Sequence, residues 1–347
     1  MNEYELSICI PSKRDFQNSK DSISAAIGFC ESSNSDLYIS DSSQDNNKKV
    51  FWQNLKLKNF YYSSSNHRKP ADNWHNAAKK ASGMFIGMCS DDDLLLNITK
   101  PAIEYSMLPS DIIGIKPTIQ LWSETHGIYN TNRFSLEQDT ALERVKNYLS
   151  NCKGNNTTLY SFFRSHILQD LQEASLFHPI KAGCADWTLV LALVSSGKVV
   201  IDPSKLYIYK NYNWIGTKVD IDNEQKSLYR KVSVSERALY FSLLFRALEG
   251  LIYIIRKNSP LKRKEAIEAG EFVFQIYLEL FQKEYFKNKD LYFPDEKKKI
   301  EDIKLNLNIK EKLDLVLTVI DTFDKEIARK FVTFFEKVTG NIWGNIK

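Results

Sequence analysis

The chain has 347 residues, 43% hydrophobic and 26% charged, which suits a soluble folded protein of two domains or one large one and excludes a disordered or fibrous chain. Net charge is +4; 23 basic residues face 23 acidic ones up to residue 220 and 24 face 20 beyond it, so no strong nucleic-acid footprint exists. Five widely spaced cysteines without a Cys-x-x-Cys pair fit reduced thiols in a cytosolic core and speak against a disulfide framework or a zinc site.

The opening "MNEYELSICIPS" lacks a basic segment followed by a long apolar one and does not read as a signal peptide. "LSICI" (6–10) predicts a first strand, and 18–30 a helix with Ile23, Ala26, Ile27 and Cys30 on one face. "DLYIS" (36–40) predicts a second strand, 50–57 a helix and "NFYYS" (59–63) a third strand. Pro70 suits the first turn of a helix that Gly83 stops, and a fourth strand runs from Met84 to Cys89. Alternation of strand and helix at intervals of about 25 residues is the pattern of βαβ units and a largely parallel sheet.

"SDDDLLL" then sets Asp91, Asp92 and Asp93 side by side. One reading is a helix start, with Ser90 or Asp91 as the cap and the other acids favoured by the macrodipole. The other is a divalent-metal site at the carboxyl end of a strand, where open α/β sheets bind ligands; Mg2+ takes one or two carboxylates and completes its shell with water and phosphate oxygens. Further on, 109–122, 127–135 and 198–210 predict strands, and 142–150 and 185–197 helices. From about residue 221 nearly every segment repeats apolar residues three or four apart, which predicts an all-helical region; "ALYFSLLFRALEGLIYIIR" is its most apolar stretch, but Arg246 and Glu249 interrupt it. The expected division is therefore 1–220 and 221–347.

Two common phosphate-binding devices are missing. "PSKRDFQNS" after the first strand contains no glycine, which removes the dinucleotide turn, and no P-loop occurs. His67, His75, His126, His166 and His178 have no metal-ligand spacing.

Taken together, "LSICIPSKRD", "LYISDSSQDN", "NWHNAAKKASGMFIGMCSDDDLL" and "AGCADWTLVLALVSSGKVVIDPSKLYIYK" resemble, in order and spacing, the motifs of family-two glycosyltransferases, the nucleotide-sugar enzymes that build bacterial polysaccharides. The resemblance implies an α/β GT-A fold, a Rossmann-like nucleotide-binding sheet with helices on both faces, here followed by the helical region. It implies that Pro11, Ser12, Arg14, Asp41, Arg68, Asn73 and Asp91 bind the nucleotide sugar, with Asp41 accepting a hydrogen bond from the base and Arg14, Arg68 and Lys69 near the diphosphate. Asp92 and Asp93 would hold Mn2+ or Mg2+, Asp186 would be the catalytic base of an inverting transfer, and Trp187 and His178 would face the acceptor. The chain departs from the family pattern at Lys13, Arg14, Ser40 and Ala185.

The activity so implied is metal-dependent transfer from a nucleotide diphosphate sugar, with UDP as the nucleotide, to a growing surface glycan such as O-antigen, lipooligosaccharide or capsule. The alternative is a catalytically silent relative that binds nucleotide sugars or scaffolds a glycan-assembly complex. The helical region carries the basic clusters "PLKRKEA" and "DEKKKIED" beside amphipathic stretches. These would suit packing into a bundle, a second copy of the chain, or peripheral contact with the inner face of the membrane and an oligosaccharide or lipid-linked acceptor.

Overall fold

Strands buried on both faces read as continuous apolar runs, and the first of them is such a run: β1 (Leu6–Ser12) is closed to solvent along almost its whole length. In the computed structural model, which describes residues 4–66, 69–181, 185–212 and 214–340, it is followed by α1 (Phe16–Ser33), β2 (Asp36–Asp41), α2 (Asn46–Gln53), β3 (Phe60–Ser64), α3 (Pro70–Ala78) and β4 (Phe85–Met88). The four strands are parallel in the order β3-β2-β1-β4, so they share one carboxyl edge. Helix α1 starts where Asp15 accepts from the Asn18 N–H at 2.9 Å, and ends at Asn34, a residue that tolerates the left-handed backbone found there, φ 48°. Its buried face is Ile23, Ala26, Phe29 and Cys30.

Beyond β4 the chain does not enter a helix. Asp91 and Asp92 form a turn and the run of leucines continues as β5 (Leu94–Asn97), so the helix-start reading of the acids is set aside. The physical reason lies far along the sequence: Leu94–Asn97 pair antiparallel with Lys205–Ile208. The sheet grows with β6 (Ile112–Ser123) and β7 (Gly127–Asn132), and after α4 (Ala141–Asn151) with the short β8 (Phe162–Arg164). Helices α5 (Ser165–Ser175) and α6 (Ala185–Ser196) lead to the long β9 (Lys198–Lys210). The result is one mixed sheet of nine strands, order β3-β2-β1-β4-β8-β6-β9-β5, with β7 beside β6. Where β4 meets β8 only glycine fits at position 87, because a Cβ there would stand 2.5 Å from Phe162 Cδ1.

The remainder of the described chain is helical: α7 (Lys218–Lys231), α8 (Ala238–Ile254), α9 (Arg263–Lys287), α10 (Pro294–Asp302), α11 (Ile309–Phe323) and α12 (Lys325–Thr339). Helix α8, the most apolar segment of the sequence, is buried over most of its length, and no helix among the described residues is long and apolar enough to cross a membrane. It contacts α6, α7, α9, α11 and α12. Gly250 lets α9 approach, since a Cβ would meet Val273 Cγ1 at 2.5 Å. One apolar cluster therefore runs from Ile86 and Val145 through Leu191 and Val194 to Phe245, Phe274 and Phe331, joining the helices to one side of the sheet. A second cluster, with Ile8, Phe29 and Phe162, lies under α1. The four cysteines among the described residues, Cys9, Cys30, Cys89 and Cys152, are buried free thiols; Cys184 lies outside them.

Candidate active site

Because β1 and β4 are parallel neighbours, with Cys9 opposite Met88, the loops that leave them run side by side at the carboxyl edge of the sheet. Asp91 fastens the two together. Its Oδ2 accepts from Ser12 Oγ at 2.6 Å, the Lys13 N–H at 2.8 Å and the Arg14 N–H at 2.9 Å, and its Oδ1 from Arg14 Nη1 at 2.7 Å. Burial favours the neutral acid, but the Ser12 and backbone hydrogen bonds and the Arg14 charge outweigh it, so the carboxyl lies below its ordinary pKa. Asp91 is thus a buried, ionised anchor.

Asp92 and Asp93 differ from it and from each other. Arg14 Nη2 pairs with Asp92, whose side chain is 13% exposed and opens toward solvent; burial, with Asp91 close by, raises its pKa. Asp93 turns inward. Tyr207 OH donates to its Oδ2 at 2.7 Å and the Lys210 N–H to its Oδ1 at 2.7 Å, and burial followed by the Asp92 charge pushes its pKa up to about 7. It ties the turn to β9.

Asp41, at the end of β2, is equally engaged. Its Oδ1 accepts from Lys48 Nζ at 3.2 Å and from the Ser43 N–H at 3.0 Å, while the Tyr62 hydroxyl and Ser43 Oγ, the latter at 3.1 Å, donate to Oδ2. Four donors thus converge on the Asp41 carboxylate, matching its four acceptor sites. Lys48 also donates to Ser12 Oγ at 2.5 Å and the Arg14 carbonyl at 2.7 Å. Asn73, buried, donates to the Ser12 carbonyl at 3.2 Å and accepts from Ser40 Oγ at 2.6 Å; Pro11 is half-buried in β1. The chain from Asp41 through Lys48, Ser12, Asp91 and Arg14 to Asp92 is continuous.

Asp186 sits in the first turn of α6, one residue inside the helix, where the dipole favours its charge. Asn156 Nδ2 donates to its Oδ2 and the Trp187 N–H to its Oδ1 at 3.1 Å. Burial is the largest influence on it and raises its pKa, against the Asn156 hydrogen bond and the Arg246 charge. The charges of Asp93 and Asp186 both act on Tyr160 and Tyr209, whose hydroxyls are pushed well up, first by burial and then by these acids. Tyr160 stacks on Tyr207 at 4.7 Å, and its hydroxyl lies 3.3 Å from Ser90 Oγ. Asn156 and Tyr160 bracket one short segment, so the residue that binds Asp186 and the one beside Ser90 belong to the same turn of chain.

Other expected residues lie elsewhere. His178 is buried against the helices: its Nδ1 accepts the Lys181 N–H at 2.9 Å, its Nε2 stands 2.9 Å from Glu249 Oε1, and its ring meets Tyr253 and Phe334. Nδ1 thus accepts a backbone hydrogen bond, and Nε2 contacts the Glu249 carboxylate. Trp187 is half-buried and packs on the larger apolar cluster. Lys69 lines a cleft of about 520 Å³ with Phe177, Lys181, Asp324 and Lys330. Arg68 lies outside the described residues. Lys48, Tyr62, Asn156, Tyr160 and Tyr207 were not singled out from sequence; adjacent Lys48 and Lys49 look alike there, and only the fold buries one and exposes the other.

Among the described residues no three acids, histidines or cysteines are arranged to hold a metal ion by themselves. Of the three acids in the turn, Asp92 alone is not buried. That still fits a divalent ion of the magnesium type, which takes as few as one protein carboxylate when phosphate oxygens supply other ligands.

No family model matches the chain, and no curated protein matches it. Among solved structures, residues 1–349 of S. aureus TarS in complex with UDP-GlcNAc align with a TM-score of 0.51 at 12% identity, covering 97% of this chain and 91% of that one. The same TarS fragment with UDP gives 0.47 at 13% identity, covering 97% and 90%. GalNAc-T7 with UDP, GalNAc and Mn2+ gives 0.43 at 10% identity, covering 82% and 58%. The first likeness shows the fold: it is the GT-A arrangement, with a helical region after the sheet.

Proposed function

We propose that the protein is a glycosyltransferase that moves a sugar from a nucleotide diphosphate sugar, with UDP as the nucleotide, to a growing surface glycan. The observation that carries this reading is that one short segment touches both acidic places: Asn156 at its start binds the half-buried Asp186, and Tyr160 at its end lies 3.3 Å from Ser90 Oγ, next to the Asp91–Asp93 turn. TarS, which shares the fold, was crystallised with UDP-GlcNAc, and this supports a donor of that class.

Each residue has a task that its surroundings suit. Asp186 takes the proton of the attacking acceptor hydroxyl: burial makes it a stronger base than an exposed carboxylate, and Asn156 fixes its orientation. Ser12, Asp91 and Lys48 hold the β1 loop so that Arg14 points its guanidinium at the leaving diphosphate. Mg2+ or Mn2+ at Asp92, when bound, would neutralise charge that develops on that diphosphate. Attack from the Asp186 side, opposite the leaving group, inverts the anomeric carbon. Exposed Tyr212 and Trp214, just beyond the Lys210 that holds Asp93, offer rings for an acceptor sugar.

The test is release of nucleotide diphosphate from UDP-sugars in the presence of acceptor glycans. Wild-type protein should turn over and Asp186→Asn should not, while both bind donor; equal turnover by the two would end the assignment of Asp186.

A further inference from the structure

Arg14 is bound to the acidic turn in a way the donor's needs alone do not explain. Its Nη1 lies 2.7 Å from Asp91 Oδ1, its Nη2 pairs with Asp92, and its own N–H holds Asp91 Oδ2 at 2.9 Å. One guanidinium therefore spans both carboxylates. The two ends are not equivalent. Asp91 is buried and held by Ser12 and two backbone N–H groups as well, so it stays in place whatever the guanidinium does. Asp92 has Arg14 as its one side-chain hydrogen-bond donor among the described residues, and the Arg14 side chain is 44% exposed and able to swing.

A forked guanidinium fits a carboxylate and a phosphate equally well, whereas a divalent ion needs the carboxylate bare. We infer that Arg14 is a resident counter-ion: in the donor-free protein it competes with a divalent cation for Asp92, and the diphosphate frees that carboxylate by taking the guanidinium. Metal and nucleotide then bind as a coupled pair, each strengthening the other by the same factor. This deepens the donor reading above and rests on it only for the nucleotide half.

The experiment is a Mn2+ titration of the full chain followed by the electron paramagnetic resonance signal of free Mn2+, on wild type, Arg14→Gln and Arg14→Lys. The nucleotide-free arm is decisive, because UDP chelates Mn2+ in solution. Arg14→Gln should bind Mn2+ on the order of tenfold more tightly than wild type, the size expected when one charge-assisted hydrogen bond no longer competes. Arg14→Lys, with the charge but not the fork, should fall between. Equal or weaker Mn2+ binding by Arg14→Gln, or no Mn2+ binding by any of the three, overturns the inference. Thermal stabilisation by UDP separates the two readings: if UDP fails to stabilise wild type while Arg14→Gln still gains Mn2+, the donor reading fails and the competition stands. If UDP stabilises and Arg14→Gln gains nothing, the competition alone fails.

Discussion

Lys48 Nζ, fully buried, stands 2.5 Å from Ser12 Oγ and 3.2 Å from Asp41 Oδ1, so one ammonium joins the ends of β1 and β2 beneath the candidate site. Removing one partner of such a pair leaves the other charge buried and uncompensated. Lys48→Met should cost about 3–5 kcal/mol, and adding Asp41→Asn should restore part of it; urea unfolding of the two variants measures both. An additive double mutant would show that the pair does not act as a unit.

Asp186 carries an opposite expectation, because its folded pKa is raised above the ordinary 3.8 by burial. The folded state then holds the proton more tightly than the unfolded one, so stability is fully present below the unfolded pKa and is lost as pH rises through the folded pKa. Asparagine has no proton to lose. Asp186→Asn should therefore melt higher than wild type at pH 8, with the difference shrinking as pH falls toward the ordinary carboxylate range, although the variant is inactive.

The Asn156 hydrogen bond pulls the same pKa down. Asn156→Ala removes that help for the charged form, so the acid limb of the pH–kcat profile should move to higher pH. An unmoved limb would show that Asp186 is not the group whose ionisation limits the rate.

His178 and Glu249 make a buried cross-link between the loop before α6 and α8, to which Thr188 Oγ1 adds a hydrogen bond at 3.1 Å. His178→Ala should lower stability by about 2–4 kcal/mol, by opening a gap and leaving Glu249 without its partner, yet leave KM for the acceptor unchanged. A raised KM in a protein of unchanged stability would put the histidine on the acceptor side.

Much of this was legible in the sequence, for identifiable reasons. Strands β1 and β4 stand out because burial on both faces makes "LSICI" and "MFIGM" continuous apolar runs, and the last helices because their period matches their burial. Strand β5 was not legible: after three aspartates "LLLN" has the local signs of a helix start, and only pairing with residues more than a hundred positions away decides otherwise. Strand β8 is three residues long, too short to carry a period. At the site, the residue types of Asp91, Asp92 and Asp186 announce chemistry. What the fold adds is their inequality: Asp91 saturated and ionised, Asp93 turned inward onto β9, Asp92 left open. That ranking depends on Ser12, Tyr207 and Arg14, none of them adjacent in the chain.

The central claim is that a nucleotide diphosphate binds against the open carboxylate of this turn, and ligand-induced thermal stabilisation tests it most directly. UDP, GDP, dTDP and CMP are added with and without Mn2+ to wild type and to Asp92→Asn; a ligand that binds only the folded state raises Tm. The account predicts a Mn2+-dependent rise with UDP in wild type that Asp92→Asn loses. No rise with any nucleotide, or the same rise in the variant, would contradict it.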